Sequence, residues 1–445
     1  MAYASKHGRR SAEHASKAAH SHVIKDTTVQ AFLAQCDLPK LGTEVALSEH
    51  DIITYTPVPH NPIQHIIAVD GGYQEVPVRN EFPSATICFF QFGALIFSVQ
   101  DLEYVADQPF IDPVDMAELK KIQRLKLTLP LKNITVTGQS SLTTSVRKVI
   151  YDFFCQEIDD SSLMTTLKWF LFQEYTNPLP HYTLANCPVC DTSNIPLLLH
   201  NMTPAHTFSC PHCGHVIYLT DVFRLHEAID DELGAGGIAG YVTTLLEQLV
   251  IVHLIRLILK TKPSLLNHFL FIKDGPLAFF GQTANMHKSM RALVRFLFEH
   301  HNLFLAGLEK SGAFVDHADE ITNHLANGSV LLLDNDYIYK YIIPGKADPA
   351  NPYGRTTYYS NKILFKTMDA GMYVISLPTV DVCANPTIQD FHNFDVTLTN
   401  IEKLKCDMYD NALMPVALAN KLVSLANHPS SRILQKFAVD AVPHP

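Results

Sequence analysis

The 445-residue sequence has one tryptophan, 19 glycines, and neither a Gly-x4-Gly-Lys-Ser/Thr loop nor a Gly-x-Ser-x-Gly elbow. Without the phosphate-binding loop, any ATP-driven step belongs to a partner; without the elbow, a common serine-hydrolase site is excluded. The glycines and 26 prolines are scattered, which excludes a collagen-like or low-complexity chain. Charged residues make up only 18% against 47% hydrophobic, a globular composition that excludes a mostly disordered chain. Positive charge is in deficit, with a net charge of −10. That excludes indiscriminate coating of nucleic acid and leaves room for a local basic groove. The most apolar stretch, 240–259, is interrupted by Glu247, Gln248, His253 and Arg256, and reads as a buried or amphipathic helix rather than a membrane span. The opening MAYASKHGRRSAEHASKAAHSH has no apolar h-region, so the expected setting is a reducing cytoplasm, with no membrane partner.

The length exceeds the roughly 100–200 residues of one ordinary domain and implies two domains, or one large domain carrying an insertion. Residues 1–30 form a basic arm or exposed helix, with Lys6, Arg9, Arg10, Lys17 and Lys25. Apolar runs at 65–76, 84–92 and 94–102, separated by Gly-containing turns, predict an antiparallel meander. The stretch 113–148 is basic and includes Lys120, Lys121, Arg124 and Lys126. Helical patterning follows at 143–175, 238–261 and 286–302, with strands at 268–281 and 303–312. Three further strand-like runs, among them 328–343, precede a last helix beginning near Ala412. Strands followed by alternating helices and strands describe a mixed α/β fold with a mixed sheet.

Nine cysteines are present, and four of them are paired: Cys187-Pro-Val-Cys190 and, nineteen residues on, Cys210-Pro-His-Cys213. Each Cys-x2-Cys knuckle turns two sulfurs toward one point, and four thiolates close a tetrahedron around Zn²⁺. Gly214 suits the tight turn of the second knuckle. His212 and His215 are alternative ligands, although the cysteines suffice. A four-sulfur site has no open position, so the zinc is structural and holds a ribbon over 182–220. Gly234-Ala-Gly-Gly-Ile-Ala239 matches GxGxxA but follows a polar, helical segment, so a dinucleotide fold lacks its context.

Asp70 follows an apolar strand and precedes Gly71-Gly72; Asp274 follows another, in Phe-Ile-Lys-Asp-Gly-Pro276. Carboxylates at strand ends are suited to sharing a hard divalent cation, and Asp-Gly is equally a common turn dipeptide. Together, IIAVDGGY, FIKDGPLAFFG and LEKSGAF resemble the motifs of NurA-type nucleases. The resemblance implies an RNase H-like core that uses Mn²⁺ or Mg²⁺ to cut DNA and works with a HerA-type hexameric ATPase, often as a homodimer, in DNA end processing, repair or phage defence. The zinc ribbon is not a general feature of that family.

Carried over by motif, Asp70 and Asp274 match metal-binding acids. The family's helical Glu falls on Glu247, the one carboxylate of its helix, and burying a lone Glu there is costly unless it binds something. Lys310 matches a basic residue that meets the scissile phosphate. In Asn411-ALMPVALAN, Pro415 is kept, Ala412 stands in the place of the family's Tyr and Asn420 in that of its metal-binding His. An Asn oxygen is a poorer Mn²⁺ ligand than imidazole. Asp390, His392 and Asp395 are therefore alternatives for the last ligand.

The expectation is a divalent-metal-dependent deoxyribonuclease whose catalytic set is Asp70, Glu247, Asp274 and Lys310. Its nuclease core would comprise 31–110 and 235–445, interrupted by a helical insertion over 111–234. Lys120, Lys121, Arg124 and Lys126 would track the DNA backbone. The alternative is a non-catalytic scaffold or DNA-binding subunit, its nuclease core degenerate, that caps an ATPase.

Overall fold

The computed structural model describes residues 19–47, 52–79, 84–99, 124–158, 161–406, 409, 411–426 and 429–441. In chain order its strands begin with β1 (Ile52–Thr54), β2 (His65–Arg79), β3 (Ala85–Ser98) and β4 (Arg124–Lys132). Small hairpin strands follow: β5 (Glu157–Ile158), β6 (Ser161–Ser162), β7 (His181–Asn186), β8 (Ser193–Leu198), β9 (Thr207–Ser209) and β10 (Val216–Tyr218). The last five are β11 (Phe269–Asp274), β12 (Phe304–Glu309), β13 (Ser329–Leu332), β14 (Ser360–Lys366) and β15 (Met372–Pro378).

Nine of these strands form one mixed sheet in the order β1-β13-β14-β15-β12-β11-β2-β3-β4. β2, β11 and β12 are mutually parallel, β3 is antiparallel to β2, and β4 is antiparallel to β3. Numbered by appearance, β4-β3-β2-β11-β12 is a 3-2-1-4-5 sheet with only its second strand reversed, which is the RNase H-like arrangement. Four more antiparallel strands extend the β12 edge.

β2 lies inside this sheet and is apolar on both faces, as a covered strand must be. Ile67 and Val69 join one core, with Phe90, Phe92 and Phe271. Ile66 and Ala68 join the other, with Leu95, Leu270 and Ile272. The first face is covered by the long helix α5 (Ala239–Thr261); α1 (Ala19–Lys25), α2 (Thr27–Leu33), α3 (Leu142–Cys155) and α4 (Leu163–Leu171) precede it in the chain. After it come α6 (His287–His300), α7 (Ala313–Ile321), α8 (Phe394–Lys403), α9 (Met414–Val423) and α10 (Ser430–Ala441). α9 and α10 pack on the other face of β2.

α5 is apolar nearly all round, the pattern of a helix buried on all sides. Among the described residues, Gly236–Thr261 alone is long and apolar enough to cross a membrane, and 61% of its most apolar window is buried inside this protein. Its polar side chains have partners: His253 Nδ1 meets the Thr166 hydroxyl at 2.7 Å, Gln248 Nε2 donates to the Ala278 carbonyl, and Gln248 Oε1 accepts from the Tyr359 hydroxyl.

Several sequence expectations shift. β2 runs straight through Asp70-Gly71-Gly72 to Arg79, and β3 runs through Gly93, so the expected meander of three short strands is two long ones. β4 lies in the central sheet, so Arg124–Lys132, read as part of the insertion over 111–234, belongs to the core. The strand expected over 328–343 stops at Leu332, because Asp334 Oδ1 accepts from Tyr337 N at 2.6 Å and caps a helical turn.

Candidate active site

β2 and β11 pair in parallel register from His65–Phe269 to Val69–Lys273. Asp70 and Asp274 come one residue later on each strand, about 4.8 Å apart in backbone spacing. Alternation gives both the face of Ala68 and Ile272, the side on which α9 packs. β11 ends at Asp274 while β2 continues, so the pair sits where β2 loses its neighbour.

Glu247 arrives from the opposite face on α5. Its Oε1 accepts from Gly71 N at 3.1 Å, and Asp70 Oδ1 accepts from the same N–H at 2.7 Å. A Cβ at Gly71 would come within 2.7 Å of the Phe92 ring and 3.1 Å of Thr243 on α5; at Gly72 it would meet the Val423 carbonyl of α9 at 2.6 Å. The two glycines thus let both helices close on β2 beside Asp70, and they make no turn.

Two lysines hold the acids. Lys273 Nζ lies 2.7 Å from Glu247 Oε2, and the two side chains are only 2% and 7% exposed. Lys310, just past β12, places Nζ 2.6 Å from Asp274 Oδ2 and is 28% exposed. Asp70 Oδ2 is buried and, among the described residues, has no hydrogen-bond partner. Burial, then the neighbouring Asp274 and Glu247 carboxylates, push Asp70 up to about 7, against the pull of Lys310 and the Gly71 N–H. Burial also raises Glu247, against the opposing pull of Lys273.

The structure thus brings Asp70, Glu247, Asp274 and Lys310 to one place. Asn420 lies on α9, one turn before the Val423 carbonyl that abuts Gly72; it is exposed, and no hydrogen bond joins it to the three acids. Asp390 caps Thr387, and His392 stacks on Phe298 at 4.0 Å. The neighbouring Asn393 donates to the Leu303 carbonyl, at the start of β12, so the segment 390–395 lies at the opposite end of the parallel strands. Lys120 and Lys121 lie outside the described residues, as do the arm residues Lys6, Arg9, Arg10 and Lys17. Arg124 and Lys126 are exposed on β4, where Arg124 pairs with Gly93, which in turn pairs with Asp70. Sequence reasoning missed Lys273, whose signal is a lysine closing an otherwise apolar strand. It also missed the buried pair of Glu309 and Lys362, 2.5 Å apart beside the Lys310 loop.

The cysteine quartet closes as a cage. Cys187 Sγ lies 3.8 Å from Cys213 Sγ, Cys190 Sγ lies 3.8 Å from Cys210 Sγ, and all four fall within 4.8 Å of one another. Sulfurs about 2.3 Å from a tetrahedral Zn²⁺ are about 3.8 Å apart, so the quartet fits that ion. The knuckles are alike: Asp191 N donates to the Cys187 carbonyl and Gly214 N to that of Cys210, and both turn residues have positive φ, +54° and +72°. The Thr192 hydroxyl at 3.2 Å helps to bring Cys190 down to about 6, toward the thiolate that binds metal. His212 and His215 are exposed and outside the cage. Arg147 on α3 anchors the ribbon through two 2.8 Å bonds to Asp221 and one of 3.1 Å to the Val216 carbonyl.

Among the described residues the cysteines are the one such tight cluster; the three carboxylates are spread wider, each of two held by its own lysine. Their all-oxygen donors and the orphaned Asp70 Oδ2 fit a hard divalent cation such as Mg²⁺ or Mn²⁺. No family model and no curated protein matches the chain. Among solved structures it is similar to the NurA nuclease from Sulfolobus solfataricus, with 7% identity, 95% of each chain covered and a TM-score of 0.33. It is also similar to a second structure titled NurA, with 12% identity, 88% of this chain and 91% of that one covered, and a TM-score of 0.23.

Proposed function

We propose that the chain is a divalent-metal-dependent deoxyribonuclease. The observation that carries this reading is the convergence of Asp70, Glu247 and Asp274 from the first strand, the crossover helix and the fourth strand of a 3-2-1-4-5 sheet, with Asp70 Oδ2 buried and unpartnered. Asp70, Glu247 and Asp274 would hold a Mg²⁺ or Mn²⁺ ion, which would supply water activation and charge neutralisation at the scissile phosphate. The chain's own residues do the rest. Gly71 N–H fixes the Asp70 and Glu247 oxygens against rotation. Lys310, part exposed and bound only at Asp274 Oδ2, swings to a non-bridging phosphate oxygen. Arg124 and Lys126 share the Asp70 face of the sheet, Arg124 two strands away, about 10 Å, and so extend a track for the DNA backbone.

Zn²⁺ in the ribbon is structural, since four sulfurs leave no position for substrate. The motif resemblance supports a HerA-type hexameric ATPase as partner, a homodimer as the working form, and DNA processing in a reducing cytoplasm. We divide the chain into an N-terminal arm to residue 30, a nuclease core, and an insertion running from 133 to 234. The second reading, a scaffold with a degenerate core, is favoured by one observation: Ala412, just before α9, and Asn420, on it, stand where the motif resemblance has Tyr and a metal-binding His, and Asn420 makes no hydrogen bond to the acids.

The test is cleavage of labelled linear and circular DNA by zinc-loaded protein with Mg²⁺, Mn²⁺ or EDTA, beside Asp274→Ala. Metal-dependent cutting that vanishes in the variant is expected. Equal cutting by the variant overturns the assignment, and folded protein that never cuts, with or without an ATPase partner, selects the scaffold.

A further inference from the structure

We propose that Lys273 is a built-in cation of this site, holding Glu247 as a second metal would, so that the carboxylates take one divalent ion per chain. The inference rests on the metal-dependent reading above and names how that site is filled. A lysine is almost never fully buried unless paired, and Lys273 is among the largest fully buried side chains of the protein. Alternation along β11 points it to the α5 side, next after Phe271. There Nζ meets Glu247 Oε2 at 2.7 Å and donates to the Asp274 carbonyl. Gly275, at φ +87°, carries no side chain where a Cβ would touch Nζ at 3.4 Å, so the chain turns closely past the ammonium.

The two lysines differ in what they can do. Lys310 is 28% exposed and its partner Asp274 19%, so that pair can open into solvent. The Lys273–Glu247 pair cannot, because separating it would strand two buried charges. Oxygen counting agrees. With Glu247 Oε2 held by Lys273 and Asp274 Oδ2 released when Lys310 leaves, the oxygens left without an ammonium partner are those of Asp70, Glu247 Oε1, which meets the Gly71 N–H, and those of Asp274. One hard cation, completed by water and phosphate oxygens, is satisfied by such a set; two ions about 3.5–4 Å apart need more bridging oxygens. Charge counting agrees as well. One divalent ion and the Lys273 ammonium balance three carboxylates, which leaves Lys310 for the phosphodiester.

The experiment is Mn²⁺ titration of zinc-loaded, full-length protein followed by electron paramagnetic resonance, with circular dichroism as the check on folding. Wild type is expected to bind one Mn²⁺, lost in Asp70→Asn, with no spin-coupled pair. Lys273→Gln is expected to bind two Mn²⁺ and to show the coupled-pair signal, while Lys273→Arg and Lys310→Gln stay at one. Two ions in wild type overturn the inference and leave the nuclease reading standing. An unchanged single ion in folded Lys273→Gln also overturns it. No Mn²⁺ bound by wild type overturns both. Wild-type stoichiometry decides the matter even if Lys273→Gln does not fold.

Discussion

Asp70 and Glu247 accept hydrogen bonds from the same donor, the Gly71 N–H, at 2.7 and 3.1 Å. One amide thus ties a strand acid to a helix acid across the thickness of the sheet, and the only side chain that allows it is none. Two carboxylates on one donor repel each other, so the arrangement is under electrostatic stress that a cation relieves.

Replacing Asp70 therefore has opposite effects on activity and stability. Asp70→Asn removes a metal ligand and abolishes cleavage. It also removes a buried carboxylate whose folded-state pKa of about 7 lies above its ordinary value of 3.8. A raised acid pKa weakens the folded state as pH rises through that window, fully so above it. Metal-free Asp70→Asn is expected to match wild type in stability near pH 4 and to exceed it by on the order of 2–4 kcal/mol at pH 8. Denaturant unfolding at both pH values checks this; a variant less stable than wild type at pH 8 contradicts it.

The same shift sets the pH dependence of metal binding. Mn²⁺ competes with the proton on Asp70, so affinity should rise about tenfold per pH unit below about 7 and level off above it. Calorimetry in buffers of different ionisation enthalpy should show about one proton released per ion at pH 6 and markedly less at pH 8. A flat profile from pH 5 to 8 would mean that Asp70 is not a ligand.

How far this was legible from the sequence depends on the residue. Glu247 was, because a single carboxylate in a helix apolar all round demands a partner, and the cysteine quartet was, because its spacing alone makes a cage. The Asp70 turn was misread: Asp-Gly-Gly has local turn chemistry, and only the helices carrying Thr243 and Val423 reveal that the glycines serve close packing. Asp390, His392 and Asp395 have suitable ligand chemistry and lie at the wrong end of the strands, a fact that periodicity does not encode. Lys273 was passed over because its partner is 26 residues away along the chain.

The zinc cage and the acid site are expected to fail separately. Cys210→Ser leaves three sulfurs and should release the zinc, exposing 181–218 to proteolysis, while the α9 face of the sheet, whose core contains no ribbon residue, stays packed. Arg147→Ala leaves Asp221 buried and unpaired, which costs about 3–5 kcal/mol of ribbon docking without touching the cage. Zinc content and limited proteolysis, measured together, separate the two: loss of zinc in Arg147→Ala would mean that anchor and cage are one unit.

The DNA track is tested by salt rather than by affinity alone. Arg124 and Lys126 alternate with Leu125 and Leu127 on β4, which buries the leucines toward α5 and keeps both cations exposed on the Asp70 side. A cation that contacts phosphate releases a condensed counterion, so each contact steepens log K against log salt by about 0.7 for single strands and about 0.9 for duplex. Binding by the double variant Arg124→Ala/Lys126→Ala is therefore expected to have a shallower slope, by about 1.4 on single-stranded and about 1.8 on duplex DNA. Asp274→Asn serves as the background, to prevent cutting. Base sequence should not matter, because phosphate contacts carry no sequence information. A slope unchanged by both substitutions would place the DNA on another face of the sheet, and one reduced by half the expected amount would leave a single contact, which the two single variants then assign.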